Sequence, residues 1–356
     1  MSVFQRPMRI TGWMADEQGC GWYRIALPLQ QLRQHGHTIT MGTNLADQRW
    51  GQAAPDRPDV LIGQRVHLPG PSALWSSLAA RPGPMRPALV YEIDDDPFSV
   101  PPDNPAYGEF RAQRANFERN LAAADLVTVS TYPLAEVARR YNPNVVVLPN
   151  CVPSWLVDIG DARLAQPVLD VPIVGWAGSP THLADWRGSG AAAGVAHAMR
   201  RGAAGLHLIG QGARSVLAGH KVPGLRESGW LHTTAAHLRR IDFTIGLAPL
   251  VDNAFNRSKS DIKILEYAAL GIPWIASGVG PYETSPAPGM RIPGAGSPLG
   301  WRVAVRSRIE LAYSGNDFTS LRIRGLAWAR GCLVGDHWFA WERAYRRAMA
   351  IRDARL

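Results

Sequence analysis

The stretch "FNRSKSDIKILEYAALGIP", residues 255–273, gathers the side chains best suited to handling an anion. Read as one helix, it sets Lys259, Lys263 and Glu266 at i, i+4 and i+7, a single polar stripe. Ile262, Leu265 and Ala269 fall on the adjoining apolar face. Two ammonium groups at a helix start, where free N–H groups and the dipole already favour negative charge, suit a pyrophosphate. Glu266, deeper on the stripe, is suited to accepting hydrogen bonds from ribose hydroxyls. Arg257 and Ser258 stand just ahead, and Gly271 with Pro273 ends the helix before the apolar run "PWIAS". The competing reading is a solvated Lys–Glu ladder, which contributes only tenths of a kcal/mol per pair. The apolar flanks "TIGLAPL" and "PWIAS" favour an enclosed helix instead.

Four further polar clusters follow apolar runs. In "DEQGCGWYR", Gly19 and Gly21 can bring backbone N–H groups close to a ligand, with Tyr23 and Arg24 next in line. Arg24 occupies the place of the third glycine of a G-x-G-x-x-G loop. In "YEIDDDPF", Asp94, Asp95 and Asp96 spell a D-x-D that can hold a divalent metal against a diphosphate. Three adjacent carboxylates repel one another, so they need a cation or donors; binding acceptor hydroxyls or capping a turn are the other readings. "GWAGSPTHLADW" offers Gly178, Ser179 and His182 before a helix, and "SGVGPYETS" is a second small-residue loop.

These clusters need a scaffold that brings strand ends together. Runs such as "MRITGWM", "HTITMGT", "DVLIG", "ALVYEID", "DLVTVST" and "NVVVLPN" alternate with helical patterns, and the alternation resumes with "IVGWAG", "LHLIG", "DFTIGLAPL" and "PWIAS". Near-continuous apolar strands separated by helices imply parallel sheets covered on both faces, with ligands at the carboxyl ends of the strands. A Pro-rich stretch with weak periodicity, "PNCVPSWLVDIGDARLAQPVLDVP", divides the chain. The expectation is an α/β protein of two doubly wound halves, residues 1–150 and 172–335, joined by a linker over 151–171. An amphipathic helix over about 336–356 is placed to pack back on the first half.

The 356 residues are 46% hydrophobic and 19% charged, a globular balance for two domains. No run nears the ~18 apolar residues a membrane span needs, and the first residues lack a signal-peptide core. Three dispersed cysteines speak against a zinc site or disulfide framework and suit a reducing cytoplasm. The net charge of +9 allows a nucleic-acid partner, but arginines scattered along the chain fit a generally basic surface better.

In their order, "GCGWYRIALPLQQLRQHGH", "VYEIDDD", "ADLVTVSTYPLAEVARRY", "VVVLPN", "GWAGSPTHLADW" and "FNRSKSDIKILEYAALGIPWIAS" resemble the GT-B glycosyltransferases. The pattern is most similar to family 4, including short relatives from actinobacteria and their phages. The resemblance implies two Rossmann-like domains facing across a cleft and transfer of a sugar from a nucleotide-sugar donor to an acceptor. It further implies retention of configuration, with no catalytic metal and no cofactor. The donor would lie mainly on the second half, at Gly178, Ser179, His182, Arg257, Ser258, Lys259, Lys263 and Glu266, aided by Gly19 and Gly21. Glu266 matches the second glutamate of the family's E-x7-E motif, while Ser258 stands in place of the first. A basic pair usual after the first strand of the second half is replaced by "GSPTHLAD", so Lys259 and Lys263 are expected to meet the leaving diphosphate, with Arg257 as a further contributor. Tyr23, Arg24, Asp94, Asp95 and Asp96 are expected on the acceptor side, one of the three aspartates serving as base if configuration inverts. A nucleotide-sugar epimerase of the same fold and a DNA-modifying glycosyltransferase are the alternatives.

Overall fold

The computed structural model describes residues 6–43, 57–166, 170–200 and 202–355. Two six-stranded sheets are present, and every strand pairing within them is parallel. The first contains β1 (Arg9–Trp13), β2 (Thr38–Gly42), β3 (Val60–Gln64), β4 (Ala88–Ile93), β5 (Leu126–Val129) and β6 (Val145–Val147), in the order β2-β1-β3-β4-β5-β6. The second contains β7 (Ile173–Ala177), β8 (Gly205–Ile209), β9 (Leu225–Ser228), β10 (Ile245–Ala248), β11 (Trp274–Gly278) and β12 (Met290–Pro293), ordered β12-β11-β10-β7-β8-β9. In each sheet the order reverses about its first strand, which makes a topological switch point. The central strands β3, β4 and β5 are buried along their whole length, as their largely apolar character requires, and their polar residues Gln64, Glu92 and Thr128 are buried with them.

Each sheet lies between two helical layers. Trp75, Phe117 and Leu134, from the helices Pro69–Ala79, Arg114–Ala123 and Tyr132–Arg139, pack on one face of the first sheet with Leu89 and Tyr91. Its other face meets the helices Leu27–Gln34 and Val334–Asp353, through Leu29, Leu32, Trp341, Tyr345 and Ala348. The last helix therefore crosses from the second half to the first, where Arg352 Nη1 donates to Asp59 O at 3.2 Å and Arg86 O at 3.3 Å. On the second sheet, Ala191–Met199 and Pro298–Ser314 cover one face through Val195, Met199, Trp301 and Val305. The helices Ser154–Leu164, Ile262–Ala269 and Asn316–Arg330 cover the other, and their apolar cluster is continuous with that of the first half. No helix among the described residues is long and apolar enough to cross a membrane.

Three features depart from the sequence reading. The stretch 151–171 is not a bare linker: Ser154–Leu164 is helical, burying Leu156, Val157 and Gly160 against the second half. At Gly160 a Cβ would stand 2.3 Å from Ala269 O, so two helical backbones meet there without side chains between them. Residues 167–169 of that stretch, and residues 1–5 of the N-terminal reading, lie outside the described residues. Strands β9 and β12 have no counterpart in the sequence reading; both are sheet edges, where "LRES" and "MRIP" lack the apolar run of a buried strand.

Candidate functional site

The carboxyl ends of the two sheets face each other, and the loops leaving them meet at a junction between the halves. From the second half comes the segment 255–273. It is not one helix but two, Ala254–Ser258 and Ile262–Ala269, with Lys259 extended between them at φ −61°, ψ 165°. The break is fixed from the opposite half, where Thr131 Oγ1 donates to Ser258 O at 2.7 Å. Lys263 and Glu266 thus share a helix face, while Lys259 reaches the same region from an extended backbone.

Lys259 Nζ lies 3.0 Å from both oxygens of Asp95, across the junction, and 4.3 Å from the Phe255 ring centroid. Burial opposes its charge, but the Asp95 carboxylate prevails and holds the ammonium above the ordinary lysine range. Lys263 differs. Its Nζ donates to Ala177 O at 2.5 Å, where β7 ends, and no carboxylate pairs with it among the described residues. Burial pushes Lys263 below the ordinary range, and neighbouring Lys259 adds to the shift against the pull of Glu266. Glu266 is raised by burial in turn, partly countered by Lys263 and by the Tyr23 hydroxyl, which donates to its Oε1 at 2.7 Å. That hydrogen bond also crosses between the halves, as does the one from Asn150 Nδ2 to Ser260 Oγ at 2.8 Å.

The loop after β7 supplies a third element. His182 Nδ1 lies 2.8 Å from Asp185 Oδ2, whose other oxygen accepts from Val251 N at 3.0 Å and Asn256 Nδ2 at 2.7 Å. An anchored acceptor puts the ring proton on Nδ1. Burial lowers the histidine pKa despite Asp185, and both lysines push the same way. Ser179 Oγ engages Thr181 Oγ1 at 2.6 Å, and Gly178 N–H donates to Ile209 O at 2.9 Å.

On the first half, Arg65 takes a place that sequence reasoning missed. It follows β3 with φ +48°, a left-handed conformation that costs a non-glycine residue on the order of 1–3 kcal/mol and clusters at functional sites. Its Nη2 donates to Asp16 Oδ2 at 2.8 Å and its Nε lies 3.5 Å from Asp94 Oδ1. Burial raises the Asp94 pKa, but Arg65 and a hydrogen bond from Cys20 more than offset it, keeping the carboxyl below its usual range. A charged residue directly after an apolar strand, as in "VLIGQR", was the available signal.

Several expected site residues are engaged elsewhere. Arg24 is turned inward by the π-helical turn Trp22–Ala26 and is buried, with Nε 2.6 Å from Glu92 Oε1 and Nη1 2.5 Å from Leu148 O. It braces the first half and is closed to an acceptor. Asp96 is buried and accepts from Phe98 N at 2.9 Å, so it caps the turn and is not placed to act as a base. Asp94, Asp95 and Asp96 each have a separate partner, and no three His, Cys, Asp or Glu among the described residues are grouped to hold a metal. Arg257 is exposed and pairs with Asp252 at 2.6 Å and 3.0 Å. Ser258 Oγ is buried and donates to Phe255 O at 2.8 Å, within its own helix. Gly21 N–H donates to Asp16 Oδ1 at 3.1 Å, and a Cβ there would lie 1.8 Å from Asp16 O; the glycine makes a tight turn rather than a free N–H. Gly19 begins the short helical turn Gly19–Gly21, with open space where its Cβ would be. What the junction brings together is Tyr23, Asp94, Asp95, His182, Lys259, Lys263 and Glu266, with Asp16, Arg65 and Asp185 in support.

No family model and no curated protein matches the chain. Solved structures do. Sucrose-phosphate synthase from Thermosynechococcus elongatus is similar over 97% of this chain and 100% of its own, with a TM-score of 0.65 at 14% identity. The catalytic domain of starch synthase IV from Arabidopsis thaliana, bound to ADP and acarbose, is similar over 97% and 100%, with a TM-score of 0.63 at 10% identity. Anabaena HepE in complex with UDP-glucose is similar over 94% and 99%, with a TM-score of 0.61 at 12% identity. Two parallel six-stranded sheets with flanking helices, facing by their carboxyl ends, give this chain the fold of the GT-B glycosyltransferases.

Proposed function

We propose that the chain transfers a sugar from a nucleoside-diphosphate sugar to an acceptor at the junction between its halves. The observation that carries this is the meeting of Lys259 and Lys263 at the head of the Ile262–Ala269 helix, with Glu266 one turn further, enclosed opposite the facing strand ends. Complexes of HepE with UDP-glucose and of starch synthase IV with ADP support a nucleotide donor. Departure of a nucleoside diphosphate develops negative charge on its phosphates, and fixed cations in a water-poor site lower that barrier electrostatically. Lys263 is assigned the larger share, because Lys259 must first be released by Asp95. His182, held by Asp185, faces the same loop, and Glu266 is assigned to ribose hydroxyls.

The acceptor is assigned to the first half, beside Tyr23, Asp94 and Asp95. With retention of configuration the departing phosphate takes the acceptor proton and no dedicated base is needed. With these lysines in place the reading requires neither metal nor cofactor, and the three free cysteines suit a cytoplasmic setting. Entry of a donor requires the cross-junction bonds from Tyr23, Lys259, Thr131 and Asn150 to part, a domain opening typical of such two-domain enzymes.

The test is a thermal-shift screen of nucleoside diphosphates and their sugar conjugates on the wild type and Lys263→Ala. A ligand at a hundredfold its Kd adds about 2.7 kcal/mol to folding stability. The expected result is a shift with one nucleotide series that Lys263→Ala strongly reduces. No shift with any nucleotide, or an equal shift in the variant, defeats the assignment. Incubating the protein with the stabilising donor alone then separates transfer from epimerisation, since only an epimerase returns an isomerised nucleotide sugar.

A further inference from the structure

At the amino ends of the second sheet's strands, where β10 and β11 begin, lies a cavity of about 230 Å³ lined by Arg163, Gln166, Asp242, Thr244, Phe318 and Arg322 among others. It is separated from the junction by the length of the Ile262–Ala269 helix, whose eight residues span about 12 Å at 1.5 Å per residue. Two arginines, Arg163 and Arg322, line this space, and neither forms an ion pair among the described residues. Arg322 is 9% exposed; its Nε donates to Gly271 O at 3.2 Å and its Nη2 to Arg163 O at 2.6 Å. Arg163 Nη2 donates to Ile241 O, and its Nη1 is buried with no hydrogen-bond partner.

Buried cations are ordinarily paired, and an unpaired polar group away from water costs stability. The carboxylate lining the cavity, Asp242, is already shared between His207 Nδ1 at 2.6 Å and Arg226. Burial lowers the pKa of both arginines, and for Arg163 the nearby Arg322 deepens the shift although Asp242 opposes it. The backbone carbonyls fix the positions of the two forks while leaving their charges without a partner of their own. Planar guanidinium forks are the side chains that best match the oxygens of phosphate and carboxylate. The volume is several times the ~30 Å³ share of a water, and falls short of the ~300 Å³ at which pockets for drug-sized ligands begin.

We infer that this rear cavity is a second anion site, which binds a phosphoryl group, free or carried on a small metabolite, between Arg163 and Arg322. The inference is independent of the function assigned to the junction. It predicts that isothermal titration of the full chain with inorganic phosphate or glycerol 3-phosphate shows saturable binding. Tighter binding of glycerol 3-phosphate identifies a carried phosphoryl group, and equal or weaker binding identifies free phosphate. Arg163→Gln is expected to weaken binding at least tenfold. Gln166→Glu, at an exposed rim position, adds a repelling charge without touching the packed core and is expected to weaken it severalfold. Lys263→Ala, which alters only the junction, leaves it intact. Absence of saturable binding by the wild type overturns the inference. So does wild-type affinity in both rear-cavity variants, or loss of binding in Lys263→Ala, which would place the phosphate at the junction.

Discussion

The Ile262–Ala269 helix has cations at both ends, and the two ends treat them differently. At its start, Lys259 is held by a carboxylate from the other half of the molecule and Lys263 by a carbonyl of β7. At its finish, Arg322 and Arg163 are held by carbonyls of their own half and meet no carboxylate of the opposite half. A pair formed across the junction can be exchanged when the halves part, so Lys259 is available in one arrangement and quenched in the other, while Lys263, held by its own half, stays unpaired by any carboxylate among the described residues. Arginines braced by a single packed unit stay where they are. The front is therefore built for a ligand that comes with motion, and the rear for one that enters a preformed space.

This contrast can be broken most directly at Lys263. Replacing it with alanine is expected to lower kcat/KM for sugar transfer about a hundredfold, ~2.7 kcal/mol of transition-state stabilisation; unchanged steady-state kinetics would remove the lysine from the reaction. Lys259→Ala is expected to cost about tenfold, ~1.4 kcal/mol, because part of its charge is committed to Asp95. The companion change Asp95→Asn should then tighten nucleoside-diphosphate binding severalfold by releasing the lysine, and calorimetry showing weaker binding would contradict the exchange. A smaller effect is expected from Tyr23→Phe. Loss of one hydrogen bond, worth about 1 kcal/mol, frees Glu266 and should lower the donor KM more than it alters kcat. An increased donor KM would instead assign Tyr23 to donor contact.

The smallest effect concerns pH. Because burial holds Lys263 below its ordinary 10.5, the unfolded chain binds more protons than the folded one between the folded value and 10.5. Across that interval the contribution of this lysine to stability rises with pH, while its grip on an anion fades as it loses its proton. Melting temperatures of the wild type and Lys263→Met across alkaline pH should differ in slope, the wild type rising more steeply. Parallel curves would mean that the lysine is not desolvated.

Much of this architecture is legible in the residues. The buried strands β3 and β4 read directly from the apolar runs "VLIG" and "ALVY", and the charged position inside β4, Glu92, is paired by Arg24. Lys263 and Glu266 were recognisable as one face of a helix. The edge strands β9 and β12 were not recognisable, because an edge needs little apolar surface. The split before Ile262 depends on Thr131, and the inward turn of Arg24 on Glu92, partners remote in the chain. The meeting of Tyr23 with Glu266 spans 243 positions and follows from the packing of two halves rather than from any local pattern. Arg65 is legible only as a charge at the carboxyl end of a strand, since it stands outside the glycine-rich and acidic clusters.

The helix Val334–Asp353, laid against the first sheet after the chain has completed the second, has a consequence for biogenesis. During synthesis the opening half emerges with one side of β3, β4 and β5 uncovered and keeps it so until nearly two hundred further residues have been added. A ribosome stalled shortly before Val334 would release a polypeptide with that greasy surface bare, a natural substrate for chaperones and proteases. Expressing residues 1–150 alone would reproduce the same defect, and supplying the 334–353 peptide in trans would be the remedy to try.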